Sequence, residues 1–404
     1  MHLEEVEVSW VDLALRAEVG TSGGVHGRRP VVLLRVVCDG QEGWGECGAL
    51  LQGTLVDPPT DRVWDLLVDH VVPRLLQATQ GQGGEVPGLH DLAAACLPAD
   101  GGVPQRMAWA SVEMALLDAA LRRAGDPLAR HLGVPRTTVP YGGVAGIPDH
   151  HTVATLLSEV QRIVDAGAAR VRLKIAPGWD ITPVAAVRSQ FPALALQVDA
   201  NGAYCLGTDD DSDAEKLVDL DGFGLTCIEQ PMEPGDLHGH AVLAERLDTL
   251  VALDESLGSV ADLERALAAG ACEVACLKPA RLGGIDMLGR AASVCAASGT
   301  PAFVGGFFET GLARAVNACL AGLPGLTLPG DVSAPTGYLA VDPAPWPPFE
   351  GSGVPVWHEP GVGPAPTSEV LTRFTRKVRR FEVPDRVVDR TPGSRPDRTP
   401  GSTG

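Results

Sequence analysis

The chain contains no run of about 18 apolar residues, so no segment of it is expected to cross a membrane as a helix. Its first ten residues, MHLEEVEVSW, lack the basic start and apolar stretch of a secretory signal and read instead as an alternating strand. Positive charge is scarce: 32 Lys and Arg stand against 51 Asp and Glu, for a net charge of −19 over 404 residues. Such a surface repels phosphate backbones, which argues against a nucleic-acid partner. It leaves room for an anionic substrate, because a bound cation and a few basic side chains can invert the field inside one pocket. Paired zinc-binding cysteines are absent too. Nine cysteines are scattered along the chain, and the nearest pair, Cys272-x3-Cys276, has no second pair to complete a site. Several fall in apolar stretches (Cys227, Cys276, Cys295, Cys319), as expected of reduced, core-filling thiols in a cytoplasmic protein.

An apolar content of 45% supplies a full core, and the length suggests two domains. Residues 31–37 (VVLLRVV) and 43–47 (GWGEC) read as antiparallel strands. The Gly-rich stretch from Thr21 to Arg29 reads as a mobile loop. From residue 59 to 132 the period is helical, clearest at 107–123 and stopped by Gly125-Asp126-Pro127. Residues 1–135 therefore form an α+β capping domain. From there short apolar strands alternate with helical stretches. Five consecutive strands end at Lys174, Asp199, Glu229, Asp254 and Lys278, spaced 24 to 30 residues apart. A repeat of this length predicts a (β/α) barrel over 136–335. A doubly wound sheet is the competing architecture, but no strand of the repeat is followed by GxGxxG or GxxxxGK[ST]. The repeat stops near Gly337. The Pro-rich segment 343–348 leads back toward the first domain, which part of 336–380 completes. Residues 381–404, with DRTPGS occurring twice, have no apolar face and read as a disordered tail.

Side chains two apart on a strand share a face. Arg172, Gln197, Cys227, Ala252 and Cys276 thus share the face of the charged ends, whereas Leu173, Val198, Ile228, Leu253 and Leu277 face the helices. The five charged residues should converge inside the C-terminal mouth of the barrel, where barrel enzymes place their active sites. One acid at a strand end is ordinarily a helix N-cap. Three acids of one parity are harder to explain so, because burying three carboxylates together demands a cation. Asp199, Glu229 and Asp254 offer an all-oxygen set suited to Mg²⁺ or Mn²⁺. Lys174 and Lys278 flank the acids in strand order. A neutral lysine there can take a proton next to a carboxylate if its pKa falls from about 10.4 toward roughly 7–8. The fixed charge of Arg172, about 7 Å back along the strand, favours that fall at Lys174. Asn201 and Glu255 follow ligands closely and are expected behind them. Gly306 and Glu309 lie in the GGFFETG loop near the mouth. His150-His151 and His238-x-His240 sit in polar stretches and read as solvated. Glu113 and Asp118, on an apolar helix, suit capping or inter-domain hydrogen bonds rather than catalysis.

The segments RLKIAPGWD, LQVDANGAY, IEQPM, LDES, CLKPARLGG and GGFFETGLARAVN, with EGWGEC and LPGDVSA, resemble the enolase superfamily. The resemblance spans about residues 1–365 and is nearest to o-succinylbenzoate synthases and N-acylamino acid racemases of the muconate-lactonizing-enzyme-like subgroup. It implies a (β/α)7β TIM-like barrel under an α+β cap, Asp199, Glu229 and Asp254 as Mg²⁺ ligands, and Lys174 and Lys278 as the proton-handling lysines. It also implies that the segment from Thr21 to Arg29 closes over a small-molecule carboxylate and that the protein is a homo-oligomer. Arg172 replaces the first lysine of the family's Lys-x-Lys motif. The implied activity is the dehydration of o-succinylbenzoate synthase, in menaquinone biosynthesis. Racemization of N-acylamino acids and muconate-type cycloisomerization or epimerization are the alternatives, and an inactive barrel used as a scaffold is the alternative of another class.

Overall fold

The computed structural model describes residues 1–21, 24–80, 84–98, 101–205, 212–346 and 353–383. Strands β1 (Leu3–Thr21), β2 (Gly24–Cys38) and β3 (Gln41–Cys47) form an antiparallel sheet. Apolar residues on both of its faces are buried. Val6, Val8, Val32, Leu34 and Val36 meet the cap helices, while Val11, Leu13, Leu15, Val31 and Leu33 join the core shared with the barrel. The strands' period of two sorts these residues between two cores.

The helix Val103–Ala124 lies in the seam between them and is buried along most of its length. It ends on Gly125 at φ 70, the left-handed conformation that glycine adopts at least cost. Its approach to β3 requires glycine: a Cβ at Gly43 would lie 2.2 Å from the Ala115 carbonyl oxygen, and one at Gly45 2.0 Å from that of Ser111.

After β4 (Thr138–Pro140), the strands β5 (Gly142–Ala145), β6 (Arg170–Lys174), β7 (Leu196–Asp199), β8 (Ile228–Glu229), β9 (Val251–Leu253), β10 (Val274–Leu277) and β11 (Ala302–Val304) form a curled parallel sheet in sequential order. Residues 326–331 take the eighth position. Leu328 N bonds Ala302 O and Asp331 N bonds Val304 O on one side, and Gly142 N bonds Gly330 O on the other. Leu173, Val198, Ile228, Leu253 and Leu277 lie in the core under the helices. Cys227, Ala252, Val274, Cys276 and Phe303 fill the barrel interior. The alternation read from the sequence is the one observed.

Two readings change. The stretch from Thr21 to Arg29, expected as a loop, is strand where it is described. Its described part continues the β1–β2 ladder, with Thr21 opposite Gly24 and Gly20 opposite Val25. Backbone pairing, which glycine permits, organises it. Phe381 and Glu382, assigned to the tail, end β13 (Thr375–Glu382), an outer strand antiparallel to β1 after β12 (Gly353–Pro355) pairs with β4. The Arg380 guanidinium on Glu7 (2.6 Å) and Lys377 over the Trp10 ring (4.8 Å) hold β13 there. The repeated DRTPGS lies outside the described residues.

Candidate active site

Register sets the site's geometry. Lys174 pairs with Asp199 and Asp199 with Glu229, while Asp254 and Lys278 directly follow β9 and β10. All five lie on the C-terminal rim. The two lysines end the second and sixth strands of the ring, four positions apart in a closure of eight, so they face each other across the row of acids. Asp199, Glu229, Asp254 and Lys278 are buried; the Lys174 side chain keeps 16% exposure.

Each acid is matched to a cation. Lys174 Nζ lies 2.6 Å from Asp199 Oδ2 and 2.6 Å from Asn201 Oδ1. Lys278 Nζ donates to Asp254 Oδ2 at 2.7 Å. Arg172 Nη1 donates to both oxygens of Glu229 (2.8 and 3.0 Å), and its Nη2 to Asp331 at 2.6 Å. The sequence placed Arg172 on this face, but its guanidinium is engaged by acids. Behind it, Arg170 donates to Asp331 (2.9 Å) and Gln197 (2.6 Å), and Gln197 Nε2 donates to Glu229. Arg281 donates to Asp254 Oδ1 (2.5 Å) and to both oxygens of Asp57 (2.7 Å each). Sequence reasoning missed Arg281 and Asp57. Arg281 stands in the one-turn helix Pro279–Leu282, outside strand parity, and Asp57 in a polar loop without pattern.

Burial and neighbouring charges move these groups in opposite directions. Burial pushes the Glu229 carboxyl up to about 8; Arg172 opposes this, and Asp199 and Asp254 reinforce it. Burial, then Asp254 and Asp199, push Glu255 up to about 7. Asp254 shifts the other way: burial would raise it, but Arg281 and Lys278 hold it below the usual carboxylate range. Burial disfavours charged Lys278, yet Asp254 outweighs it and keeps the amine above its ordinary value.

The residues fit a hard cation. A carboxylate oxygen from each of Glu229 and Asp254 and the Cys276 sulfur lie within 4.8 Å of one another. Of these, the two carboxylate oxygens are the hard donors that Mg²⁺ or Mn²⁺ prefers, and the thiol is the soft one. Asp199 is outside this trio, drawn one strand away toward Lys174. Glu255 Oε2, and the Nε atoms of Arg170 and Arg172, are buried without a hydrogen-bond partner among the described residues. Three non-glycine residues in left-handed conformations stand beside these strand ends: Asn201 (φ 45), Gln230 (φ 40) and Phe308 (φ 56). Gln230 makes its turn rigid by accepting from Asp254 N (3.0 Å) and Ser256 N (3.1 Å).

The other expected residues sort as follows. Asn201 links Lys174 to Glu255: its Oδ1 accepts from the lysine amine at 2.6 Å and its Nδ2 donates to Glu255 at 3.0 Å. Glu309 accepts from Phe307 N and Asn317 and pairs with Arg314 (2.7 Å), organising its own loop. Gly306 lies beside it, where a Cβ would come within 3.1 Å of Glu309 Oε2. Thr21 ends β1, and its side chain is outside the described residues. Glu113 accepts from Ile285 N (2.5 Å) and Asp286 N (3.1 Å), capping a barrel helix from the cap, and Asp118 accepts from Trp44 N and Val362 N. His240, read as solvated, is buried, with its ring against Asp236 O, Met232 N and Gln230.

Comparison with known proteins decides the family. The mandelate racemase/muconate lactonizing enzyme N-terminal domain matches residues 5–133, and the enolase C-terminal domain-like family matches 155–370. The chain belongs to the enolase superfamily. An N-succinylamino acid racemase of an Amycolatopsis species is 41% identical over 93% of this chain and 98% of its own. An o-succinylbenzoate synthase of Geobacillus stearothermophilus is 33% identical over 94% and 98%. A crystal structure of an enolase-superfamily member from Listeria innocua superposes with a TM-score of 0.85 at 30% identity, covering 95% of this chain and all of that one. The chain is thus a superfamily enzyme of the lyase or isomerase kind, which sets the scaffold reading aside.

Proposed function

We propose that the enzyme removes the proton α to the carboxylate of a succinyl-bearing substrate and completes the dehydration of an o-succinylbenzoate synthase. The observation that carries this reading is the pair of lysine amines on opposite sides of one row of acids. Asp199, Glu229 and Asp254 would hold Mg²⁺, or Mn²⁺ in its place. When bound, the cation supplies positive potential for the charge that develops on the substrate carboxylate. Lys174, the more exposed amine, takes the α-proton and passes it to the departing hydroxyl, which leaves as water as the C–O bond breaks. Lys278, kept charged by Asp254, stabilises the developing negative charge from the opposite face. Arg172 and Gln197 hold Glu229, and Arg281 holds Asp254, so the acids are oriented before substrate arrives. Eight of the nine thiols are buried and all are free, which suits a cytoplasmic setting.

The Amycolatopsis relative favours a second reading at the same residues, racemization of N-succinylamino acids, in which each lysine serves one face of the α-carbon. Two assays on the Mg²⁺-loaded protein test the proposal: conversion of the hydroxylated precursor to o-succinylbenzoate, and α-deuterium exchange of N-succinylamino acids in D2O. Lys174→Ala should abolish dehydration, and exchange should lose one enantiomer in each lysine variant. Full activity in both variants contradicts the two-lysine mechanism.

A further inference from the structure

Phe307 belongs to the barrel by sequence and to the cap by packing. It follows β11, yet it is 3% exposed inside the cap's apolar core. Its ring centre lies 4.7 Å from Lys278 Nζ, a distance at which the negative π-face attracts an ammonium. Lys278 is confined on another side by Gly305, where a Cβ would stand 2.8 Å from its Cε. The cap approaches closely through Gly48, where a Cβ would come within 3.0 Å of the Phe307 ring. Lys278 also donates to the barrel residue Asp254, whereas Lys174 donates to Asp199 and Asn201, both of which belong to the barrel.

Two buried cap residues grip the backbone at this ring and just after it. Arg29 Nε donates to Phe307 O (3.0 Å) and Phe308 O (3.1 Å), while its Nη1 is anchored on Pro30 O (2.5 Å) and Ala49 O (2.8 Å). Glu46 accepts from Thr310 N (3.0 Å) and Thr310 Oγ1 (2.5 Å). Arg29 and Glu46 are 3.9 Å apart, so the clamp is itself an ion pair. Phe308, itself one of the gripped positions, holds φ 56, a conformation an aromatic residue keeps only when its surroundings impose it.

We propose that Arg29 and Glu46 are positioning residues that hold Phe307 against Lys278 across the cap–barrel seam, so that the seating of the cap sets the reach of one of the two proton-carrying lysines. This rests on the two-lysine reading. It makes the enzyme asymmetric: disturbing the clamp misplaces Lys278 and spares Lys174.

The test measures α-deuterium exchange of each enantiomer of N-succinylphenylglycine separately, with the full chain and Mg²⁺ in D2O. Lys278→Ala first identifies the enantiomer that Lys278 serves. Glu46→Gln and Phe307→Leu should then slow exchange of that enantiomer at least about tenfold more than the other, in kcat rather than KM, since a shift of order 1 Å at a reacting group is enough. Phe307→Tyr, which keeps the ring, should restore the wild-type ratio. Phe307→Leu carries the test if Glu46→Gln does not fold. Equal slowing of both enantiomers, or an unchanged ratio, in a variant with wild-type circular dichroism overturns the inference while the two-lysine reading stands. Exchange of both enantiomers that survives Lys278→Ala overturns that reading and the inference with it.

Discussion

Arg172 donates to two buried acids at once, and its neighbours show why a lysine would serve differently there. A guanidinium offers the planar fork that Glu229 accepts bidentately while another amino group reaches Asp331; an ammonium is a compact point charge. Arg172→Met takes the guanidinium from buried Glu229, leaving it the neutral Gln197 amide, and leaves Asp331 to Arg170 alone; it should cost about 3–5 kcal/mol. Arg172→Lys, which keeps the charge and loses the fork, should cost less. Urea unfolding measures both, and equal losses would show that charge alone matters. The strand parity that placed Arg172, Gln197 and Cys276 inside the barrel was readable because a strand's period is two. Arg281 and Asp57 were not, since their approach depends on how a cap loop meets a single helical turn.

At the scale of elements, the cap is fastened to the barrel by carboxylates on helix N-termini. Glu113 accepts the first amides of the helix Ile285–Ser298, where the macrodipole favours an anion. Burial nevertheless pushes Glu113 from its ordinary 4.5 up to about 7. Because the folded value exceeds the unfolded one, the stability it contributes is complete below about pH 4.5 and lost as the pH rises through about 7. Glu113→Gln, which does not ionise, should therefore lose less unfolding free energy between pH 5 and pH 8 than the parent chain, as read by denaturant titration at each pH. An identical slope would mean that Glu113 is already ionised at pH 5. Closeness of backbones supplies a second expectation. Gly45→Ala puts a Cβ 2.0 Å from the Ser111 carbonyl oxygen and should destabilise the cap by about 1–3 kcal/mol, lowering the melting temperature. The strand pairing of the β1–β2 extension was not legible because composition reports glycine, whereas the ladder is made by backbone amides that any sequence carries.

Across the whole molecule, the barrel was legible and the completion of the cap was less so. A repeat of strand and helix is local and recurs, so each copy supports the others. β13 pairs with β1 across nearly the full chain, Glu7 opposite Arg380, and no local period announces such a pairing. What the fold achieves is to bring side chains from five separate strands to one rim. There three carboxylates, Asp199, Glu229 and Asp254, are buried on adjacent strand ends, a donor set suited to a hard divalent cation. Mg²⁺ at 100 times its Kd should raise the unfolding free energy by about 2.7 kcal/mol, and chelator should reverse it. The most direct measurement is an anomalous difference map from a crystal grown with Mn²⁺. One peak bounded by carboxylate oxygens of Asp199, Glu229 and Asp254, with Lys174 and Lys278 on opposite sides, is the expected result. A peak elsewhere, or none at the rim in a crystal that binds Mn²⁺, contradicts the account.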